Sequence, residues 1–316
     1  IISMGPPSSG GALLIQMLNM LENYDLSSIE RNSTEFVHMM TEVQRLAYAD
    51  RAIHLGDPDF YPSPIPMLTS KEYAKKRLQL VSMDEATLSS EIGAGSIQPY
   101  ESMETTHYSA MDKEGNIVGI TTTINLSYGN KKIVDGAGFL LNNEMDDFSS
   151  SPGTQNAFGL IGYEANSIKP SKRPLSSMSP TIVLNPDGSP LMTIGAAGGS
   201  RIITAVLQII ISVLDHDQNI QDAINIGRTH SQWIPDVVRY EGKNKINKQF
   251  NSLLPSLSNK QVKELKDLNH KFENDGNVEN GMYYLARAHG ILYKDGQFFT
   301  GVDWRGNGEA DDGITY

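Results

Sequence analysis

Four short stretches carry residues whose types and spacing can do chemistry. Glu104-Thr105-Thr106 opens an alternating segment, and one of its two threonines is a candidate nucleophile. "LLNNEMDDFS" sets the carboxylates of Glu144, Asp146 and Asp147 close together, and "KRPLSSMSPT" offers the hydroxyls of Ser176 and Ser177 near Arg173. "GGSR", with Gly198 and Gly199, aims glycine amides toward a helix N-terminus and can hold an anion. Each stretch also has a plainer reading. Threonine pairs suit strands, acidic pairs solvate loops, Ser-Ser marks turns, and Gly-Gly marks tight bends. By type and spacing alone, they leave an α+β enzyme whose chemistry is open.

Other chemistries find less support. The seven histidines, His38, His54, His107, His216, His230, His270 and His289, form no HExxH or comparable pair, so each reads as a packed or solvated side chain. "GAAGGS" lacks the lysine of a P-loop and the GxGxxG spacing, and no GxSxG elbow occurs. With no cysteine in 316 residues, disulfides and thiolate chemistry are excluded. A net charge of −11 argues against a nucleic-acid partner. The longest apolar run, Ile202 to Leu214, is too short to span a bilayer. No signal peptide is visible, and a chain that starts at Ile1 reads as a fragment or a processed product.

The elements that must position these residues follow from periodicity. "GPPSSGGALLIQMLNMLENYDL" predicts a loop and a helix, with Ser8 and Ser9 as candidate N-caps and Leu13, Leu14, Met17, Leu18 and Leu21 at helical spacing. A second helix starts at Ser33 or Thr34, carries the stripe Val37, Met40, Val43, Leu46 and Ala47, and ends at "GDPDF". "TSKEYAKKRLQL" predicts a third helix, and residues 82–104 read as mobile and exposed. Strands follow. "TTHYSAMD" and "IVGITTTINL" form one hairpin, and "SPTIVL" and "PLMTIGA" form another. An apolar helix starts at Ile202, a charged helix covers "NKQVKELKDLNHKF", and a last hairpin turns at Asp295-Gly296 in a type I′ turn. The order predicts α+β with largely antiparallel sheets.

In sequence, "PPSSGG", "RLAYADRAIHLGDPDF", "TTHYS", "LLNNEMDDFS", "SKRPLSSMSPT" and "GGSRIIT" together resemble the γ-glutamyltransferase (γ-glutamyltranspeptidase) family of the N-terminal nucleophile hydrolases. The resemblance is strong from Gly5 to about Trp233, thins from Asn244 to Gly281, and returns weakly in the last hairpin. It implies the four-layer αββα sandwich of that superfamily. It also implies a precursor that cuts itself between Glu104 and Thr105. Residues 1–104 would then be the C-terminal part of a large subunit, mostly helical with a flexible tail from 82. Residues 105–316 would be the small subunit, and the two parts would form one globular domain. A free N-terminal amine on Thr105 would supply the base that its hydroxyl needs.

Further roles are implied position by position. Thr123 matches the threonine that assists the nucleophile. Asn125, Glu144 and Asp147 match the residues that hold the donor's α-ammonium, and Ser176 and Ser177 those that bind its α-carboxylate. Gly198 and Gly199 match the glycines of the oxyanion hole, and Phe158 lies where bacterial members carry an aromatic in a lid. The resemblance implies γ-glutamyl donors such as glutathione, an amino-acid or peptide acceptor, no metal or organic cofactor, and a periplasmic or extracellular location. The chain departs from the family at "GAAGGSR", where Ser-Pro is usual before the glycines, and at "DWR", where "DPR" is usual. The family's carboxylate-gripping arginine would lie before Ile1, in a missing part of the large subunit that becomes a partner of this chain; Arg173 and Arg201 do not match it. An acylase or a poly-γ-glutamate depolymerase on the same scaffold remains the alternative, as does an uncleaved, inactive binding module.

Overall fold

The computed structural model describes residues 1–92, 105–241, 257–272, 285–303 and 305. Helix α1 (Gly10–Leu21) follows the short strand β1 (Ile2–Ser3), and Leu13, Leu14, Met17 and Leu21 are buried as their spacing predicts. Its start differs from expectation. Ser9 is already helical and makes no side-chain cap; its hydroxyl donates to the Ser176 carbonyl at 2.8 Å. Helix α2 (Thr34–His54) is capped by Ser33, whose Oγ accepts from Phe36 N–H at 3.1 Å. Its apolar stripe is fully buried, and burial continues around the helix to Glu42, Gln44, Arg45 and Arg51. A short α3 (Ile65–Leu68) precedes α4 (Lys71–Leu78), which Ser70 caps.

The first part of the segment expected to be mobile and exposed is largely exposed, at residues 82–85, 88, 90 and 91, and is anchored at two points. Within residues 82–92, Ala86 and Ser89 are buried, and the short α5 (Ser89–Ile92) is tied to Trp233. Trp233 Nε1 donates to the Ser89 carbonyl at 2.9 Å, and Ser89 Oγ donates to the Trp233 carbonyl at 2.8 Å. An indole this large excludes water, so the small, polar sequence is held by its partner rather than by its own apolar content. The rest of that segment, including Glu104, lies outside the described residues.

Strands β2 (Thr106–Met111) and β3 (Ile117–Thr122) pair antiparallel, with Thr106 opposite Thr122. Strands β4 (Thr181–Leu184) and β5 (Pro190–Ala197) form the second expected hairpin. Helix α6 (Arg201–Leu214) and the short α7 (Ile220–Asn225) follow, then a two-residue ladder, β6 (Thr229–His230) with β7 (Arg239–Tyr240). The charged helix α8 is confined to Asn259–Asp267. The last hairpin, β8 (Arg287–Lys294) and β9 (Gln297–Val302), turns at Asp295 and Gly296 with φ of 53° and 74°, as a type I′ turn requires.

One antiparallel sheet runs β1-β4-β5-β8-β9, and β5 presents different neighbours on its two faces. Ile194 faces the helical core with Met192 and Ala196, opposite Gly290, whose Cα lies close to Ile220 of α7. Gly195 faces the β2–β3 hairpin, where a Cβ would land 2.3 Å from the His107 ring. Helix α6 is buried on every side except at Leu214, with Arg201, Thr204, Gln208 and Ser212 buried alongside its apolar residues. Helices, the five-stranded sheet and the β2–β3 ladder thus stack as three layers of the expected αββα sandwich. Among the described residues, no helix is long and apolar enough to cross a membrane.

Candidate active site

Strand alternation separates the two threonines. His107 and Ser109 point inward, His107 onto Gly195 and Ser109 to within 3.4 Å of Thr193 Oγ1. Thr105 stands two residues before His107, just outside β2. Thr105 is half-buried, whereas Thr106 faces solvent. The Thr105 hydroxyl donates to Thr123 Oγ1 at 3.4 Å, and Thr123 Oγ1 also accepts from Asn125 N–H at 2.8 Å. Asn125, at φ 75° and buried, donates from Nδ2 to the Asn143 carbonyl at 3.1 Å. Asn143 in turn precedes the one-turn helix Glu144–Asp147. Thr105, Thr123 and the acidic turn are therefore joined by a short chain of hydrogen bonds.

That turn is electrostatically crowded. Burial raises the Glu144 carboxyl above its ordinary range, and Glu144 Oε1 is buried with no hydrogen-bond partner among the described residues. Asp147 is pushed up to about 7, first by burial and then by the charge of Glu144, with Asp146 adding to it; Arg51 and the Asn156 amide pull the other way. Asn156 Nδ2 donates to Asp147 Oδ1 at 3.1 Å. Three carboxylates against one guanidinium favour a cationic guest. An unpartnered oxygen beside them offers that guest a hydrogen-bond acceptor.

The hydroxyl pair lies on the far side of Asp147. Asn166 bridges the two regions, donating to the Asp147 carbonyl at 2.7 Å and accepting from Leu175 N–H at 3.0 Å. Ser176 is fixed through its backbone to Pro7 and Ser9, and its Oγ accepts from Met178 N–H at 3.1 Å. Ser177 Oγ accepts from Arg51 Nη2 at 3.3 Å. Gly198 and Gly199 end β5 and open α6, with carbonyls that accept from Arg201 and Ile202 N–H at 3.2 Å. Only glycine fits either position. Gly198 has φ 146°, and a Cβ there would lie 2.7 Å from Ala286 Cα; Gly199 has φ 57°, and a Cβ there would lie 2.2 Å from the Phe158 ring.

All nine residues singled out from the sequence, and Phe158 with them, lie in this one connected region. Three partners had no local signal. Arg51 sits inside a helical repeat, Asn156 in a loop, and Gln232 beyond the apolar helix. Gln232 receives the Ser200 hydroxyl at 2.8 Å and donates to the Phe158 carbonyl at 3.1 Å, so it ties the aromatic loop to the glycine turn. The Tyr48 hydroxyl donates to the Ser200 carbonyl from the other side. Arg173 is elsewhere, in a fork with Asp57 and Asp59. Asp303 and Arg305 of the variant "DWR" motif form a buried net with Arg228 and Glu241, in which Arg305 Nε donates to Glu241 Oε1 at 2.6 Å.

Two histidines read from the sequence as separate prove to be a pair. His38 Nδ1 and His270 Nε2 lie 2.7 Å apart in the core, with Glu42 beside them. The other His38 nitrogen bonds the Ser82 carbonyl, and the two Glu42 oxygens accept from Arg45 Nη1 and Thr87 N–H. With the carboxylate and both His38 nitrogens engaged, the trio is a buried hydrogen-bonded net rather than an open coordination site.

The family model for gamma-glutamyltranspeptidase matches residues 1–312. A glutathione hydrolase proenzyme of Escherichia coli K12 is 48% identical over 241 residues, which cover 76% of this chain and 41% of that protein. The chain thus spans less than half the length of that relative. A solved gamma-glutamyltranspeptidase from Pseudomonas nitroreducens, complexed with L-DON, is 38% identical with a TM-score of 0.58, covering 67% of this chain and 99% of that chain. A cephalosporin acylase structure from Bacillus halodurans shares the fold at 19% identity, with a TM-score of 0.74 over 99% of this chain and 51% of that chain.

Proposed function

The chain belongs to the gamma-glutamyltranspeptidase family, and from that premise we propose that the full-length protein cleaves γ-glutamyl amides such as glutathione through a γ-glutamyl ester on Thr105. One observation carries the reading. The Thr105 hydroxyl is linked through Thr123, Asn125 and Asn143 to a turn where burial holds the Glu144 and Asp147 carboxyls above their ordinary range and three carboxylates face one guanidinium. A donor whose ammonium rests on that turn would present its γ-carbonyl back toward the nucleophile.

Maturation would begin with Thr105 Oγ attacking the Glu104 carbonyl. The peptide C–N bond breaks, the chain passes onto the oxygen as an ester, and water then hydrolyses it. The amine released on Thr105 becomes the base for turnover. It takes the hydroxyl proton as Oγ attacks the donor's γ-carbonyl. The Gly198 and Gly199 amides would hold the oxyanion, typically by ~3 kcal/mol per donor. Collapse expels the amine product, which receives that proton, and leaves the acyl group on Thr105. Water or the amine of an amino acid or peptide then takes it.

In this reading Asn125, Glu144 and Asp147 hold the ammonium, Ser176 and Ser177 the α-carboxylate, and Phe158 shields the site above Gly199. Residues 105–316 are the small subunit and residues 1–104 part of the large one. The solved relative's chain is matched by two thirds of this one, the share that residues 105–316 make up, which supports a boundary at Thr105. The family implies a periplasmic or extracellular location. Intact-mass measurement on the purified full-length product tests the proposal, alongside release of p-nitroaniline from γ-glutamyl-p-nitroanilide. Two chains, the second beginning at Thr105, with release of the chromophore are expected. A single inert chain would instead support an uncleaved binding module.

A further inference from the structure

Arg51 stands three residues from the end of α2 and is 3% exposed. Its hydrogen-bond partners among the described residues are all neutral. Nε donates to Ser9 Oγ at 2.9 Å, and Nη2 donates to Ser177 Oγ at 3.3 Å and to the Leu175 carbonyl at 3.5 Å. Nη1 makes none of these bonds. Burying a guanidinium against neutral oxygens is costly, and such a cation attracts an anion within reach. The carboxylate whose charge it feels is Asp147.

The chemistry of the donors adds direction. A guanidinium can only donate. Arg51 therefore occupies a lone pair of Ser177 Oγ and leaves the Ser177 O–H proton to be given elsewhere. Met178 N–H does the same to Ser176. The two hydroxyls are thereby set as hydrogen-bond donors, with a full positive charge behind one of them. That combination recognises a carboxylate.

Resting on the γ-glutamyl reading above, we propose that Arg51 is a positioning residue for the donor's α-carboxylate: it fixes Ser177 as a hydrogen-bond donor and supplies positive potential behind the Ser176–Ser177 pair. It acts on the substrate through Ser177 and through space, in addition to any cation supplied by other parts of the full-length protein. Serines alone would bind the carboxylate with neutral hydrogen bonds. Arg51 makes the same pair selective for charge.

The test compares two anilides on the full-length protein. γ-Glutamyl-p-nitroanilide carries the α-carboxylate, and 4-aminobutyryl-p-nitroanilide lacks it but keeps the ammonium. The readout is the ratio of their kcat/KM values, which a general loss of folding or of self-cleavage leaves unchanged. Arg51→Gln should lower the ratio by about ten- to a hundred-fold, mainly through a raised KM for the γ-glutamyl donor, as for loss of a charge-assisted contact. Arg51→Lys keeps the charge but loses the fork, and should lower it by roughly three- to tenfold. If Arg51→Gln does not mature, the Arg51→Lys ratio decides alone. In a Ser177→Ala background the Arg51→Lys effect should shrink, because the shared route is gone. An unchanged ratio in the variant that matures overturns the proposal, as does a wild-type ratio near one. A wild-type protein that cleaves neither anilide sinks the γ-glutamyl reading itself, and this inference with it.

Discussion

Replacing Asp147 by asparagine in the full-length protein separates binding from folding, because the structure gives the two effects opposite signs. The carboxyl is held up to about 7 by burial and by Glu144, against the pull of Arg51 and Asn156. Once ionised, it would meet the donor's ammonium in a charge-assisted pair worth roughly 1.5–3 kcal/mol. Asp147→Asn should therefore raise KM for γ-glutamyl-p-nitroanilide by about ten- to a hundred-fold. In the wild type, protonation of the carboxyl below pH ~7 should lower kcat/KM until it reaches the mutant's loss of about ten- to a hundred-fold, and the mutant should keep only the acid limb that comes from protonating the Thr105 amine. Stability runs the other way. A carboxyl whose pKa is raised on folding stabilises fully below its ordinary value near 3.8, and that stability is lost as pH rises through about 7. The full interval corresponds to ~4 kcal/mol at 1.36 kcal/mol per unit. Asp147 keeps partial access to water, so about 1–2 kcal/mol is expected after allowance for screening. At pH 8 the mutant should thus be the more stable protein, read by thermal or urea unfolding, and the weaker binder. An unchanged KM with the same pH profile as the wild type would remove Asp147 from the site. A mutant less stable at pH 8 would show that the crowding of carboxylates had been misjudged.

Three further outcomes follow from particular contacts. Thr105→Ala should stay a single, inactive chain, whereas Thr106→Ala, altered on the solvent side of the strand, should still yield two, as denaturing gels would report; the reverse result would move the nucleophile to Thr106. Gly199→Ala forces a Cβ into the Phe158 ring at φ 57° and should cost about 2–4 kcal/mol of stability from overpacking and strain; Phe158→Ala should relieve part of that cost, and no relief would mean that the ring is not the obstacle. The Arg173 fork holds the Asp57 carboxyl well below the usual carboxylate range, so its contribution is present above pH ~4 and fades as pH falls; because Arg173 is half exposed, Asp57→Asn should cost only about 1 kcal/mol at pH 7, with wild type and mutant converging near pH 2 in acid titrations.

What the sequence disclosed was what neighbouring residues decide among themselves. Ser33 caps α2 because a cap needs only an amide three residues on, and Asp295-Gly296 turns as expected because both residues accept positive φ. The alternation that buries His107 and exposes Thr106 belongs to the same class. Features set by distant partners stayed hidden. Ser9 looks like a cap but is claimed by the Ser176 carbonyl and by Arg51, 167 and 42 residues away. Within the largely exposed segment 82–92, Ser89 is buried because Trp233 meets it from 144 residues away. The same holds within the site. The motifs carried the candidate reacting and recognising groups, while Arg51, Asn156 and Gln232 stand out only through whom they meet, and a polar residue at a helical position does not say whom.

The strand order also sets a clock. Ile2 pairs with Ile182, so the sheet edge at β1 closes only after about 180 further residues exist. Gly198 is seated against Ala286, and β5 needs β8 beside it. A ribosome adding ~5–20 residues per second spends roughly 10–40 s between making Thr105 and making Ala286. Throughout that interval the glycine turn lacks its backing, and the Thr105 hydroxyl has no finished site in which to act. If the bond before Thr105 is cut as proposed, this order of synthesis would delay the cut until the segments that fold with it have been made.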